Sequence, residues 1–600
     1  YNIFTLDAAV REYVEVINTD GTPNKDIEIA LPERYVGLDR FKARTVIVEE
    51  FETLGLLEKI APHGLKVPYG DRSGVVIEPL LTDQWYVAVA PMAKTALEAV
   101  ENGDIKFVPQ QYENMYYSWM RDINDWCISR QLWWGHRIPA WYYSNLPADF
   151  VVATTQEEAL KLASEKAGRE VTASELRQDE DVLDTWFSSW LWPISVFNGL
   201  TQPNNPEINY YYPTNDLVTA PEIMFFWVAR MIIAGYEYLG DLPFKNVYYT
   251  GIVRDKLGRK MSKSLGNSPD PIELIEKFGA DGVRVGILIS SPAGNDLPFD
   301  SSQCEQGRNF TNKIWNAYRL VSSWEVRDIE QPVSSKIAID WFENRFNQVL
   351  TEINDQFDKF RISEALMATY KLVWDDFCSW YLEMIKPGYE QPIDQQTLNS
   401  TLAFFEKLLK ILHPFTPFVA EELYHALKER EAGDDIVIAA WPAVQAVQEA
   451  PLKRFAYNEK VIANIRNIRK QNNIATKVKL ELFIKADAAL ATDADSVIIK
   501  MGNLSALAYV QEKVAQANSF IVDGIEFYVP FGEAIDLDAE KEKIQEELEY
   551  TKGFLKSVQG KLSNEKFVSG APDQVVANER KKEADALHKI GLLEAKLKEL

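Results

Sequence analysis

Apolar residues change their spacing several times along the chain. Over residues 1–80, short β-like runs surround one helical stretch, in which Val46, Ile47, Val48, Phe51, Leu54, Leu56 and Leu57 recur and Gly55 sits near the end. That spacing predicts an amphipathic helix at a domain surface. Residues 212–222 run into the apolar segment 223–231, the pattern of a strand, a turn and a buried helix. A β-rich run, Val247 to Thr250, reaches Gly251, resumes with Ile252 and Val253, turns polar, and gives way to a helical pattern at Ile272. Helical periodicity then dominates residues 309–427. Farther on, Val461, Ile462, Ile465 and Ile468 form a stripe, with Arg466, Arg469 and Lys470 on the expected polar side and Lys477 and Lys479 on a following strand. At the end, Ile544, Leu548, Leu555, Val558 and Leu562, then Leu587, Ile590, Leu593, Leu597 and Leu600, recur at spacings near three, four and seven around a Ser569-Gly570-Ala571-Pro572 break. This predicts an antiparallel coiled coil; heptads alone would also suit a dimer interface.

Composition narrows the class. Six hundred residues make several domains, and 46% hydrophobic content with 16 Trp supplies large cores. The net charge of −25 argues, taken alone, against a nucleic-acid partner, although a local basic face binds RNA on an acidic protein. Cys127, Cys304 and Cys378 lie far apart, which excludes a disulfide framework or a four-cysteine zinc site and fits a reducing cytosol. The most apolar run, residues 223–235, is interrupted by Arg230 and is too short to span a bilayer. No signal-peptide pattern is visible. A start at Tyr1 rather than Met reads as a piece of a longer polypeptide.

The chemistry concentrates in residues 247–270. Gly258 opens a loop whose tip is Lys260-Met261-Ser262-Lys263-Ser264, and Gly266, Asn267 and Pro269 close it. Two flexible ammonium groups, two hydroxyls and free N–H groups suit a polyphosphate. A solvated Lys/Ser turn is an equally good reading of the loop in isolation. A second block, Trp126-Cys127-Ile128-Ser129-Arg130-Gln131-Leu132-Trp133-Trp134-Gly135, can wall an apolar pocket or fill a core.

These blocks together resemble the class I aminoacyl-tRNA synthetases, and within them the valine-specific branch. The pentapeptide is identical to the KMSKS signature of the class, and the likeness runs over nearly all 600 residues. It implies a multidomain α/β plus α chain. Residues 1–80 are the end of an inserted editing domain, through the block Gly37-Leu38-Asp39-Arg40-Phe41-Lys42-Ala43-Arg44. Residues 81–305 are the C-terminal half of a Rossmann-like catalytic domain. Residues 306–450 are a helical anticodon-binding bundle, 451–535 a tRNA-contacting junction and 536–600 a coiled-coil arm that leans on tRNA. It also implies a cytoplasmic, monomeric ligase that takes valine, ATP with Mg2+ and valine tRNA. Lys260 and Lys263 would stabilise charge on pyrophosphate, Met261, Ser262, Ser264 and Gly251 would shape the ATP site, and Glu222 would lie near the ribose. Trp134 and Trp186 would wall the amino-acid pocket, and Arg466, Arg469 and Lys470 would contact tRNA phosphates.

The same resemblance sets limits. Residues 140–181 carry no paired cysteines, unlike the zinc-binding relatives, so the expectation is a chain with no bound zinc and no metal-site residue. The class carries a His-x-Gly-His motif in the first half of its sheet, and the five histidines here (His63, His136, His413, His425 and His588) do not form one. The expectation is a chain that cannot make valyl-adenylate alone. The part of the editing domain expected to hold the misacylated tRNA end would lie before Tyr1. An isoleucine or leucine enzyme, or a catalytically silent RNA-binding relative, is the alternative.

Overall fold

The computed structural model describes residues 13–17, 23–30, 32–64, 66–70, 74–77, 83–262, 265–291, 294–488, 492–530, 537–563 and 573–599. The chain forms two compact units. One comprises Tyr1–Asn102, Tyr116–Pro213 and Phe225–Pro243, and the other Gly103–Met115, Thr214–Met224 and Phe244–Leu600.

In the first unit, strands Tyr13–Ile17 and Pro23–Ala30 pair antiparallel, and the predicted helix spans Arg40–Thr53. Asp39 starts it by accepting from the N–H groups of Phe41 and Lys42, and Gly55 follows its end at φ +68°. The expected apolar face is not a buried one: only Arg40 and Ala43 are buried in this helix, and Phe51 and Leu54 are exposed. The helix Ala90–Glu101 packs on the buried helix Ala229–Leu239. Residues 140–181 form a small antiparallel sheet (Ala140–Tyr142, Phe150–Val152, Arg177–Gln178) closed by the helix Gln156–Ala167 over Val151, Ala159, Ala163, Val171 and Leu176.

In the second unit, three parallel strands stand in the order Thr214–Thr219, Phe244–Tyr249, Lys106–Val108. The central strand is buried from Val247 to Tyr249, as its apolar run requires. The helices Pro271–Phe278, Ala280–Leu288 and Ser301–Ser322 follow. The last two cross closely at Gly282 and Gly307, where a Cβ on Gly307 would lie 2.2 Å from the Gly282 carbonyl oxygen. A helical bundle comes next, built on Val333–Asp358, Ile362–Lys371, Leu372–Tyr381, Gln395–Leu412 and Pro417–Leu427. Its aromatic residues Trp341, Phe342, Phe346, Phe377, Tyr381, Phe404 and Phe405 are core. A four-stranded mixed sheet (Leu480–Lys485, Leu504–Val510, Ala517–Val522, Ile525–Pro530) then packs with the helices Glu449–Gln471 and Asp495–Gly502.

The terminal helices Leu537–Leu562 and Asp573–Glu599 run antiparallel, as the sequence of pairings Glu547–Lys589, Gln559–Glu583 and Lys561–Glu579 shows. Ile544, Leu548 and Val558 are buried between them. Leu587, expected on the apolar stripe, is exposed, while Ala586 beside it is buried. The Ser569–Pro572 break and Leu600 lie outside the described residues.

Candidate active site

The lysine loop leaves the carboxyl end of the parallel sheet, where α/β folds bind nucleotides. The Thr250 N–H donates to Thr219 O, so Gly251 and the turn bearing Glu222 follow neighbouring strand ends. Gly251 is required by packing: a Cβ there would lie 1.6 Å from the Asn295 carbonyl oxygen. Glu222 is exposed. The Tyr112 phenol, which donates to Gly294 O at 3.1 Å, is pushed upward by burial and then by the charges of Asp296 and Glu222.

Asp255, which no sequence pattern singled out, and Asn267, expected only to close the turn, hold the loop. Asp255 accepts from the N–H groups of Leu257 (3.0 Å) and Arg259 (2.8 Å), from Arg259 Nε (2.8 Å) and from Asn267 Nδ2 (3.0 Å). These bonds, that of Asn267 first, hold its carboxyl down at about 2. Asn267 in turn accepts from the Ser262 N–H at 2.9 Å and donates to Lys260 O at 3.3 Å. The Ser262 hydroxyl accepts from the Leu265 N–H at 3.3 Å. The loop is therefore stapled at both sides of Lys260-Met261-Ser262, and Lys260 itself is exposed. Lys263 and Ser264 lie outside the described residues. An Asp followed twelve residues later by Asn across a Gly-containing turn was the available signal.

The first unit holds a cavity of about 560 Å³ lined by aromatic residues, Trp119, Trp126, Trp186, Phe225 and Phe226, with Asp184, Arg130 and Arg230 among its polar groups. Trp119 stacks on Phe225 at 4.7 Å and Trp186 on Phe226 at 6.1 Å. Asp184 is its hub. It caps the short helix Thr185–Ser189 by accepting from the Trp186 N–H at 2.9 Å, and it accepts from Trp126 Nε1 at 3.1 Å and Arg130 Nη2 at 2.6 Å. Arg230 stands 3.9 Å from the same carboxylate and 3.6 Å over the Trp126 ring. Burial pulls the Arg230 guanidinium down to about 10, and the Asp184 charge opposes that. Trp186 lines this cavity, and Trp134 does not: it is 93% exposed. The chain at Gly135 runs so close to Val182 that a Cβ would meet its side chain at 2.8 Å, and the two tryptophans before it project outward.

The expected basic face needs one correction. Arg466 and Lys470 are exposed, and Arg466 covers the Trp380 ring at 4.9 Å. Arg469 is buried, and its guanidinium donates to the carbonyl oxygens of Ala475, Val478, Gly502 and Asn503. It falls four residues after Ile465 and seven after Ile462, which is the buried face of the helix rather than the polar one. Lys477 and Lys479 are exposed but precede the strand Leu480–Lys485 instead of lying on it. Among the described residues no helix is long and apolar enough to cross a membrane.

Three family descriptions match this chain: "tRNA synthetases class I (I, L, M and V)" over residues 7–300, "Anticodon-binding domain of tRNA ligase" over 340–484 and "Valyl tRNA synthetase tRNA binding arm" over 536–600. A protein of Christiangramia forsetii described as valine–tRNA ligase is 55% identical over 591 residues, covering 98% of this chain and 67% of that protein. One of Parabacteroides distasonis with the same description is 54% identical over 583 residues, covering 97% and 66%. The chain spans about two thirds of the length of these relatives. Among solved structures, a Mycobacterium tuberculosis methionyl-tRNA synthetase bound by methionyl-adenylate matches at 16% identity and TM-score 0.43, over 64% of this chain and 71% of that one. An Agrobacterium radiobacter LeuRS-tRNA-LeuAMS complex matches at 21% identity and TM-score 0.41, over 54% and 43%.

Proposed function

The chain belongs to the valine–tRNA ligase family, and on that footing we propose that it carries the pyrophosphate-side loop, the amino-acid pocket and the tRNA-contacting part of an enzyme that charges valine tRNA. In the reaction, the valine carboxylate attacks the α-phosphorus of Mg-ATP in line. The new oxygen–phosphorus bond forms as the bond to the β-phosphate oxygen breaks, and pyrophosphate leaves. A ribose hydroxyl at the 3′ end of the tRNA then takes the valyl group, and AMP leaves.

One observation carries the assignment of the loop: Asp255 and Asn267 staple the segment bearing Lys260 at the carboxyl end of a parallel sheet. A held loop with an exposed ammonium stabilises charge as it develops on pyrophosphate without reorganising at that moment. Lys260 and Lys263 supply that charge, Ser262 and Ser264 orient the loop around Met261, and Gly251 and Glu222 face the nucleoside end. Magnesium enters with the ATP phosphates. Trp186, with Trp126, Phe225 and Phe226, encloses the aliphatic side chain, and the reading needs neither Trp134 nor zinc. Arg466, Lys470, Lys477 and Lys479 contact phosphates, which positions tRNA without reading its sequence. The terminal antiparallel helices act as a coiled-coil arm on the same tRNA. The enzyme works as a cytoplasmic monomer, divided at about residues 80, 305, 450 and 535. Editing of mischarged threonine belongs to the longer polypeptide.

The 600 residues lack a His-x-Gly-His motif, so the reading assigns them binding without adenylate synthesis. The test is charging of valine tRNA with labelled valine by this chain and by a polypeptide extended to the relatives' full length. The expected result is charging by the extended polypeptide alone. Failure of the extended polypeptide to charge any tRNA would replace this reading by that of a silent tRNA-binding relative.

A further inference from the structure

Away from the loop and the cavity, the helix Pro417–Leu427 and the turn after it gather three ligand-type side chains. Glu421 and His425 stand one helical turn apart, and Asp435 returns to them from the turn before Ile436–Ile438. His425 Nε2 lies 2.9 Å from Glu421 Oε1 and 3.2 Å from Asp435 Oδ1, and the three ligand atoms fall within 4.8 Å of one another.

Three features distinguish this group from an ordinary surface ion pair. The first is proton economy. One ring N–H donates along one line, yet this nitrogen faces carboxylates from two separate chain segments, so a proton satisfies one of them well and the other poorly. The second is spacing. Zinc-class ions hold imidazole nitrogen and carboxylate oxygen at about 2.0–2.2 Å, so ligand atoms subtending tetrahedral or octahedral angles stand about 2.8–3.4 Å apart. Both His425 separations lie in that window. The third is charge. His425 is in the last turn of its helix, whose carbonyl end favours a cation. The nearby bases are engaged elsewhere: Arg430 on Asp434 (3.1 Å) and Glu406 (3.3 Å), Lys428 on Glu406 (2.8 Å) and Lys410 on Glu406 (3.2 Å). Among the described residues, His425 is the one basic side chain paired with Glu421 or Asp435.

The frame is also fixed. Ile436 is buried and its N–H donates to Glu421 Oε1 at 3.2 Å, which ties the turn to the helix, and Tyr424 beside His425 is buried in the bundle core. Rigid supports of this kind are what a ligand set needs.

We propose that Glu421, His425 and Asp435 form a binding site for one divalent transition-metal ion of the zinc class, with water completing the coordination. The ligand set is one nitrogen and two oxygens, so the site ranks borderline ions such as zinc and cobalt above magnesium. It owes nothing to the cysteines, and the sequence signal for it is only Glu and His four apart with an acid ten residues later.

The test is calorimetric titration of the 600-residue chain with zinc chloride in a non-chelating buffer. A parallel cobalt titration is followed by its visible absorption. The expected result is one ion per chain, with a dissociation constant on the order of micromolar because positions stay open to water. His425→Ala and, separately, Glu421→Gln weaken binding by more than about tenfold. Asp434→Asn, whose carboxylate is held by Arg430, leaves it unchanged. Melting by circular dichroism checks each variant, and His425→Gln replaces His425→Ala if the latter does not fold. Absence of a saturable zinc site, or an affinity that survives loss of the His425 imidazole, overturns the proposal.

Discussion

Replacing Asp184 with Asn keeps the shape of the side chain and removes its charge. The carboxylate is 7% exposed and serves Trp126 Nε1, the Trp186 N–H and two guanidinium groups. A hydrogen bond to a charged partner contributes about 1.5–3 kcal/mol. The Arg130 contact is the shortest, but its guanidinium is 40% exposed and solvent screens it, so it adds little. Arg230 is 10% exposed and would lose its counter-charge. Removing one partner of a buried pair costs about 3–5 kcal/mol. Asn retains one acceptor oxygen, which puts Asp184→Asn near the lower end, about 3 kcal/mol. The assay is urea unfolding followed by tryptophan fluorescence, with each transition fitted separately because a chain of two units does not unfold as one. One transition is expected to move and the other to stay. Adding Arg230→Met to Asp184→Asn should cost less than the sum of the single changes, by about 1–2 kcal/mol of coupling. A loss within about 0.5 kcal/mol for Asp184→Asn, the range of an ordinary surface change, would refute the hub. Strict additivity with Arg230→Met would refute the pairing.

Three further outcomes are expected. Asn267→Ala removes the bonds to Asp255, Lys260 O and the Ser262 N–H; in the extended polypeptide it should cut valine-dependent ATP–pyrophosphate exchange about tenfold or more, while the melting temperature of this chain stays within a few degrees. Arg466→Glu with Lys470→Glu should weaken tRNA binding and lower the salt slope by about two, as read by fluorescence anisotropy across a salt series. Arg469→Met should leave that slope alone and lower the melting temperature instead. The Asp255 carboxyl is held at about 2 against an ordinary 3.8, so its contribution is complete above about pH 4 and is lost as pH falls through about 2. Acid titration of the parent should show this loss between those values, and Asp255→Asn should lack it.

How much of this was legible from residues alone depended on range. The strand entering Gly251 and the helix at Pro271 followed from local spacing and turn residues, because both are set by near neighbours. The bundle and the terminal helices followed from periodicity for the same reason. Trp134 did not follow, because two adjacent tryptophans off any regular period say nothing about which way they face; the contact of Gly135 with Val182 decides that. Arg469 was assigned by its charge when its position, seven after Ile462, placed it on the buried face. The hub at Asp184 was hidden because three of its partners, Trp126, Arg130 and Arg230, lie 58, 54 and 46 residues away in sequence. Long-range convergence of polar groups leaves no local pattern.

The most direct test of the central claim is amino-acid-dependent ATP–pyrophosphate exchange, run with valine, isoleucine and threonine on this chain, on the extended polypeptide, and on its Lys260→Ala form. The account predicts silence from the 600 residues, exchange with valine in preference to the others from the extended polypeptide, and a loss of about a hundredfold or more on removing the lysine. Exchange by the 600 residues alone, a preference for isoleucine, or full activity without Lys260 would contradict it.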